Sequence, residues 1–262
     1  MRKTGAWTVR IAWIVLVLAS IPIVLDYVEH LLTESWAWYA GAFPLCVVSS
    51  VWRAERRASR IVPAILLVLF GIAWEVVASA SGMLRLGRPG FVLAASGILA
   101  ADGRLDLRRF VMMALAVPIP RVLLERMGEP LLFVNFELLT RTLQMAGVPT
   151  LATVHGVERS TGLVIFEASD VGWTSAIFAF GLAWVLFERR GSSWGKTLIG
   201  SGIAALAGCV VHLLCTTALF ALVEPSSIAD TRIWRDALSY SAVVAGAIGY
   251  WVLRLRAKPT AC

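Results

Sequence analysis

The feature that most restricts the fold of this chain is a series of apolar runs. Several are close to the roughly 20 residues that a helix needs to cross a hydrocarbon core about 30 Å thick. The runs are Ile11 to Leu25, Trp36 to Trp52, Ile61 to Ala80, Gly90 to Ala101, Phe110 to Leu124, Val171 to Phe187, Thr197 to Val223 and Ala237 to Leu253. Of the 262 residues, 58% are hydrophobic and only 16% are charged, a balance that soluble domains rarely show. The sequence therefore predicts an all-α polytopic membrane protein with about eight transmembrane helices.

No linker, low-complexity tract or repeat divides the chain, so we expect a single membrane domain over residues 1–262. Residues 1–109 form its N-terminal helices, and residues 110–262 form a second half with an outer-face segment at 121–170. The fourth run is short, and the fifth contains Pro118 and Pro120, which must bend or end a helix. A re-entrant pair is the alternative to two full spans there.

The basic residues predict the orientation, because cytoplasmic loops are enriched in Lys and Arg. Basic residues lie before the first run, after the second, fourth and sixth, and at the end of the chain: Arg2, Lys3 and Arg10; Arg53, Arg56, Arg57 and Arg60; Arg104, Arg108 and Arg109; Arg189, Arg190 and Lys196; Arg254, Arg256 and Lys258. Acidic residues mark the first outer loop, at Asp26, Glu29 and Glu34. This predicts a multi-pass protein of the cell inner membrane with both termini cytoplasmic. Arg85 and Arg88 are the exception, since they fall on the outer side.

The net charge of +7 is spread over separate loops. It therefore indicates topology and attraction to anionic membrane lipid, and we expect no nucleic-acid partner. The first run continues through Pro22 to Leu25 without a small-residue cleavage pattern, so we expect it to remain as the first helix. The four scattered cysteines, Cys46, Cys209, Cys215 and Cys262, imply no disulfide framework. No cofactor is expected.

The stretch from Val117 to Gly172 is too polar to be a membrane span throughout. From Arg121 to Met145, apolar residues recur at helical spacing, interrupted by Gly128 and Pro130, which predicts an outer interfacial helix. The following run, LATVHGVERSTGLVIFEAS, predicts a short β-hairpin of two strands joined by a polar turn around residues 158–162.

The motifs of this second half follow one another in a characteristic order. VPIP at 117–120 is followed by a helix ending in LLTRTLQMAGVPT, a short hairpin, and EASDVGW leading into a helix. This run resembles the exosortase/archaeosortase family, membrane-embedded cysteine transpeptidases that process carboxy-terminal sorting signals of exported proteins. The resemblance covers roughly the second half of the chain. It implies a partner: the carboxy-terminal tails of exported proteins.

Family members usually carry Glu-Ala-Cys-Ser-Gly with a nucleophilic Cys, then Asn-x-x-Arg in the next helix and a His near the final helix. Here Glu167 and Ala168 match, Ser169 stands at the Cys position and Asp170 at the following Ser. CVVH at 209–212 places Cys209 at the Asn and His212 at the Arg, and no His lies near the last helix. The polar candidates there are Asp236, Ser239 and Tyr240.

The resemblance assigns catalysis to Ser169, His212 and Cys209, and substrate binding to Glu167, Asp170, Asp236 and Tyr240. A serine is harder to activate than a thiol and needs a firmly placed base. His212 lies ~11 residues, so ~16 Å, from the outer end of its predicted helix. A Ser169/His212 dyad therefore requires the sixth predicted helix to begin deep in a cavity, which the family resemblance allows. Alternatively, Glu167 and Asp170 only cap that helix.

Two intramembrane groups have structural alternatives. Cys209, His212 and Cys215 have spacing that brings possible metal ligands together, but we favour a buried histidine that is hydrogen-bonded inside the bundle, and no metal. Glu75 in the third run is either part of a proton pathway or a neutral carboxyl bonded to a polar group on another helix.

Two functions follow. The first is an exosortase-like protein that processes or binds exported tails, with binding by a catalytically degenerate member preferred. If it cuts, it is a membrane transpeptidase or peptidase with a non-standard nucleophile. The second is a small transporter or scaffold without peptidase activity, although we find neither paired broken helices nor internal symmetry.

Overall fold

The computed structural model describes residues 3–33, 61–118, 121–153, 156–160, 162–165, 172–222 and 237–247. Helix accounts for 82% of these residues, and a small three-stranded sheet is also present. The chain divides into two compact units, residues 1–118 and 119–262. The single membrane domain predicted from the sequence, with its halves meeting at residues 109 and 110, stays a prediction.

The described part of the first unit is helical. Its helices are α1 (Lys3–Ala19), α2 (Ile21–Thr33), α3 (Ile61–Ala80), α4 (Leu84–Ala101) and α5 (Leu107–Leu115). α1 and α2 are bent by 65° at the break between them. Pro22 contributes to this break because its ring nitrogen cannot donate to the carbonyl of Leu18. The continuous first helix expected over Ile11 to Leu25 is therefore two helices.

α3 and α4 form the closest helix pair of this unit. A Cβ atom at Gly71 would lie 2.5 Å from the backbone nitrogen of Ala94, and one at Gly97 would lie 2.6 Å from the carbonyl oxygen of Ala64. Glycine lets the two backbones touch, as small residues do in membrane helix pairs. A hydrophobic core forms where α4 meets α1 and α5, with the buried residues Leu16, Val92, Ala94, Ala95, Ile98, Leu99 and Met113.

An ion pair ties α2 to α4. Nη2 of Arg88 lies 2.6 Å from Oδ2 of Asp26 and also donates to the Asp26 carbonyl, and its guanidinium carbon lies 5.6 Å from the centre of the Tyr27 ring. Arg88 is only 5% exposed. The two residues are therefore neighbours, although 62 positions separate them. Their predicted place on the outer face of the membrane stays a prediction.

The end of the first unit follows its prolines. α5 begins at the N-cap Asp106, whose side chain accepts from the Arg109 backbone nitrogen, and it ends at Leu115, before Pro118. The next helix begins at Arg121. The prediction that the prolines interrupt the fifth run is confirmed, and a single helix over Phe110 to Leu124 is not formed.

The second unit combines helices with the sheet. Its elements are α6 (Arg121–Met145), β1 (Thr150–Ala152), β2 (Gly156–Arg159), β3 (Gly162–Ile165), α7 (Trp173–Arg189), α8 (Trp194–Leu222) and α9 (Ala237–Ala247). α6 continues through Pro130, which lies inside it. Its interfacial position stays a prediction.

The sheet is antiparallel with order β1-β2-β3. The predicted hairpin is β2–β3, in which Arg159 pairs with Gly162. The run predicted to hold two strands holds three, because β1 and β2 pair with each other in antiparallel register. The predicted turn around residues 158–162 is shorter than expected, since Glu158 and Arg159 belong to β2 and Gly162 to β3. Val157, which is fully buried, pairs with Ala152 of β1 and with Val164 of β3.

Among the described residues, two helices are long and apolar enough to cross a membrane, α3 and α8, or three if the bent pair α1–α2 forms one span. α7 and α9 are apolar but shorter over their described residues. The finding supports a helical protein with a few potential spans, and the count of eight stays a prediction. The second predicted span, Trp36 to Trp52, lies outside the described residues.

Candidate functional site

Only part of the predicted site falls on described residues. Glu167, Ser169, Asp170 and Asp236 lie outside them, whereas Cys209, His212 and Tyr240 lie inside. The site is therefore built from the residues that surround His212.

α7 and α8 run antiparallel and pack closely. A Cβ atom at Gly208 of α8 would lie 2.7 Å from the carbonyl oxygen of Ser175, and one at Gly200 would lie 2.3 Å from the Phe187 ring. At the start of α7, a Cβ atom at Gly172 would lie 3.1 Å from Cδ2 of His212. The beginning of α7 is thus level with His212, in the middle of α8.

α8 extends past that level. It ends at Leu222, and the residues after His212 span about 15 Å at 1.5 Å per residue. The first turn of α7 therefore lies beside His212 and not beside the end of α8. That this level is deep in a membrane, as a Ser169/His212 dyad requires, stays a prediction. Ser169 itself is three residues before Gly172 and outside the described part of the chain.

His212 is 2% exposed and lies among hydroxyl groups. Its Nδ1 atom is 3.4 Å from Oγ of Ser175 on α7 and 3.4 Å from Oγ of Ser239 on α9. Both serines are fully buried. Three helices thus meet at one imidazole. When the ring proton is on Nε2, Nδ1 accepts a hydrogen bond from a serine hydroxyl.

Two further polar atoms lie on residues next to this contact. Thr216 is one turn after His212 on the same helix face, and Trp173 directly follows Gly172. Thr216 Oγ1 and Trp173 Nε1 are both buried and find no hydrogen-bond partner within the described ranges. Buried polar atoms are usually satisfied, so these two have hydrogen-bonding capacity that no described residue uses.

The sheet and α6 surround the last turns of α8. Phe136, Leu139 and Leu143 of α6 pack with Val157 of β2 and Phe220 of α8 in one buried cluster. The Arg159 side chain donates to the carbonyl oxygen of Phe220, and the Gln144 side chain donates to the carbonyl oxygen of Thr150 at 2.8 Å. The sheet is therefore fixed to the end of α8, beyond His212.

The cysteines do not gather around His212 as a ligand set. Cys209 and Cys215 are free thiols and half-buried. Within the part of the chain that the structure describes, no group of three His, Cys, Asp or Glu side chains is placed to hold a metal ion. The buried, hydrogen-bonded histidine is the arrangement observed.

Tyr240 follows Ser239 and packs edge-on against Phe178, with ring centroids 5.2 Å apart. This contact places its ring between α9 and α7. Its role in substrate binding stays a prediction, as do the roles of the acidic residues.

Sequence reasoning missed Ser175 and the contact of Gly172 with the imidazole. Ser175 lies on the first turn of α7, but nothing in its neighbours indicates that it faces α8. The sequence indicates Ser239 only as one of three polar candidates near the last helix. Comparison of the chain with family models, with curated proteins and with solved structures finds no match.

Proposed function

We propose that this chain is an integral membrane protein of the exosortase/archaeosortase type that handles the carboxy-terminal sorting tails of exported proteins. Tail binding is its main activity. The observation that carries the proposal is the meeting of Gly172, His212 and Ser239 at one buried imidazole. In the resemblance, Gly172 closes the motif at Glu167, His212 stands at the arginine position, and Ser239 is one of the polar candidates near the last helix.

These positions are far apart in sequence. Ser175 is 37 residues from His212, and Ser239 is 27 residues from it. Their convergence on one buried imidazole supports a site, because buried polar groups cost free energy unless they bond to each other or to a ligand.

The residues present suit binding better than catalysis. Ser169 has a hydroxyl where the family cysteine supplies a thiolate. His212 occupies the position of the family arginine, whose permanent positive charge stabilises the developing oxyanion. Neutral histidine, hydroxyl and indole groups remain able to hydrogen-bond the backbone of an extended tail. If a peptide bond is cut, His212 is the group that accepts the proton of an attacking serine hydroxyl.

The test is co-expression with tagged candidate sorting tails, followed by capture of the protein and analysis of tail length. The variants are Ser169→Ala, Ser175→Ala, Cys209→Ala and His212→Ala. Ser241→Ala is the matched control, because Ser241 is exposed on α9 and bonds only within its own turn, to Leu238.

We expect full-length tails to co-purify with the wild type and with Ser241→Ala, and to be lost with His212→Ala. Tail cleavage that disappears with Ser169→Ala or Cys209→Ala would identify the nucleophile and replace binding by catalysis. If tails neither co-purify nor shorten, while an intact exosortase processes the same panel, the proposal fails and the transporter or scaffold function takes its place.

A further inference from the structure

The first unit contains an elongated apolar groove that the proposed function does not use. Its cavity volume is ≈680 Å³. One wall runs along α3 from Ile61 to Ser79, the other along α1 from Val9 to Ala19, and Gly97 and Ala101 of α4 are part of its floor. α1 and α3 both pack on α4, which leaves the groove between them.

The dimensions of the groove restrict what can fill it. From Ile61 to Ser79, α3 rises about 27 Å at 1.5 Å per residue. The volume divided by this length gives a mean cross-section of about 25 Å², whereas a helix about 10 Å wide needs about 80 Å². The groove therefore fits one extended hydrocarbon chain and not a helix.

One end of the groove is polar. Of the described residues that line it, only Glu75 and Ser79 carry polar side chains, and they lie one turn apart on α3. Glu75 is 6% exposed, and its Oε2 atom accepts from Oγ of Ser20 at 2.7 Å. Its Oε1 atom is buried and finds no partner among the residues described here. Ser79 is next to the last residue of α3, where a 20-residue span reaches the head-group region.

We infer that this groove binds the chain of a neutral single-chain lipid whose hydroxyl head group lies beside Glu75 and Ser79. A hydroxyl donates to the carboxyl group and accepts from Ser79, so it satisfies both. A carboxylate or phosphate head would bring a second set of acceptors against Glu75 and no donor. The inference does not rest on the proposed function, since all of these residues lie in the first unit.

The test uses the full-length chain in proteoliposomes with a monoacylglycerol that carries a diazirine on its acyl chain. After illumination, mass spectrometry locates the cross-links. We expect saturable labelling at the groove residues Leu16, Val68 and Ile98. Val62 and Val77 should show only unsaturable labelling, because they are 71% and 68% exposed and lie outside the groove.

Ala19→Phe fills the polar end of the groove, and we expect it to lower saturable labelling about tenfold. Leu18→Phe is the matched control, since Leu18 is 61% exposed and does not line the groove. In competition, unlabelled monoacylglycerol should displace the probe more strongly than a fatty acid or a plain alkane of equal length. Glu75→Leu should remove the advantage over the alkane, and Glu75→Gln, which keeps an acceptor, should retain it.

Labelling spread equally over Val62, Val77 and the groove would overturn the inference, because it would show ordinary surrounding lipid only. A fatty acid that competes as well as monoacylglycerol would also contradict it. Either result leaves tail capture by the second unit untouched, so the two proposals can fail separately.

Discussion

The helix pairs α3–α4 and α7–α8 both pack closely at glycines, but the glycines face different groups. In α3–α4, Gly71, Gly90 and Gly97 each bring one backbone against the other. In α7–α8, Gly208 does the same against Ser175, but Gly172 makes room for the ring of His212. In α3–α4 the two backbones are in contact at three glycines. In α7–α8 the contacts end at the imidazole of His212. A close glycine contact therefore does not by itself indicate a site. What matters is whether the glycine faces backbone atoms, as in α3–α4, or a polar side chain, as at Gly172.

The two units also treat polar groups differently. In the first unit, Arg88 is paired with Asp26 and Glu75 with Ser20. In the second, the polar groups around His212 are hydroxyls, and Thr216 has no partner among the described residues. An ion pair therefore joins helices in the first unit and hydroxyl contacts join them in the second. Each unit also has a buried polar atom without a partner among the described residues, Oε1 of Glu75 and Oγ1 of Thr216.

The largest effect expected is that of Asp26→Ala. It leaves the 5% exposed Arg88 without its carboxylate, and breaking a buried pair costs about 3 kcal/mol or more. Unfolding in mixed micelles measures the change. The control is Glu137→Ala, which breaks an exposed pair with Arg141 and should cost about 0.5 kcal/mol or less. Equal effects of the two variants would show that the Asp26 pair does not tie α2 to α4.

Gly71→Ala tests the contact between α3 and α4. Its Cβ would meet backbone atoms at 2.5 and 2.6 Å, which cannot move aside without shifting α4, so we expect a loss of about 2 to 3 kcal/mol. Gly202→Ala on α8 has nothing within 4 Å and should gain about 0.5 to 1 kcal/mol from helix propensity. The same unfolding assay compares them, and a neutral Gly71→Ala would contradict the backbone contact.

Gly172→Ala, compared with Gly147→Ala, separates the loss of stability caused by backbone strain from an effect on the site around His212. Gly172 and Gly147 have nearly the same positive φ, 83° and 81°, but only Gly172 faces another residue, His212. Both alanines should lose about 1 to 2 kcal/mol from the left-handed backbone. Only Gly172→Ala should also reduce tail co-purification, because it pushes the imidazole away. If Gly147→Ala reduces capture equally, the effect is one of stability and not of the site.

The smallest effects are those of Ser175→Ala and Ser239→Ala. Each alone should cost about 0.5 to 1 kcal/mol, because the other hydroxyl still reaches Nδ1 of His212. The double variant should cost more than the two together, which a double-mutant cycle measures. Strict additivity would mean that the two serines do not share the imidazole.

The sequence predicted the elements that have strong apolar periodicity. It did not predict the features that depend on a few residues, such as the bend at Ser20. α3, α6 and α8 follow from their apolar patterns, and the interruption before Pro118 follows from proline chemistry. The bend at Ser20 was missed because Pro22 lies inside a run that is apolar on both sides of it.

Within the site, the sequence identified His212 and noted Ser239, since a resemblance points to positions along the chain. It did not identify Ser175, because which face of α7 meets α8 depends on packing at Gly208 and Gly200 rather than on local pattern. Arg88 is a second example, because its partner Asp26 is 62 residues away and no local pattern indicates the pair.

The most direct test of the account is whether α7, α8 and α9 meet at His212. In a chain whose four native cysteines are replaced by alanine, Ser175→Cys and Ser239→Cys together with His212 would form a three-ligand site for a soft cation. Titration with Cd²⁺ should give a thiolate charge-transfer band and a rise in Tm, both lost with His212→Ala. No band in the double variant, or a band that persists without His212, would contradict the convergence on which the proposed function rests.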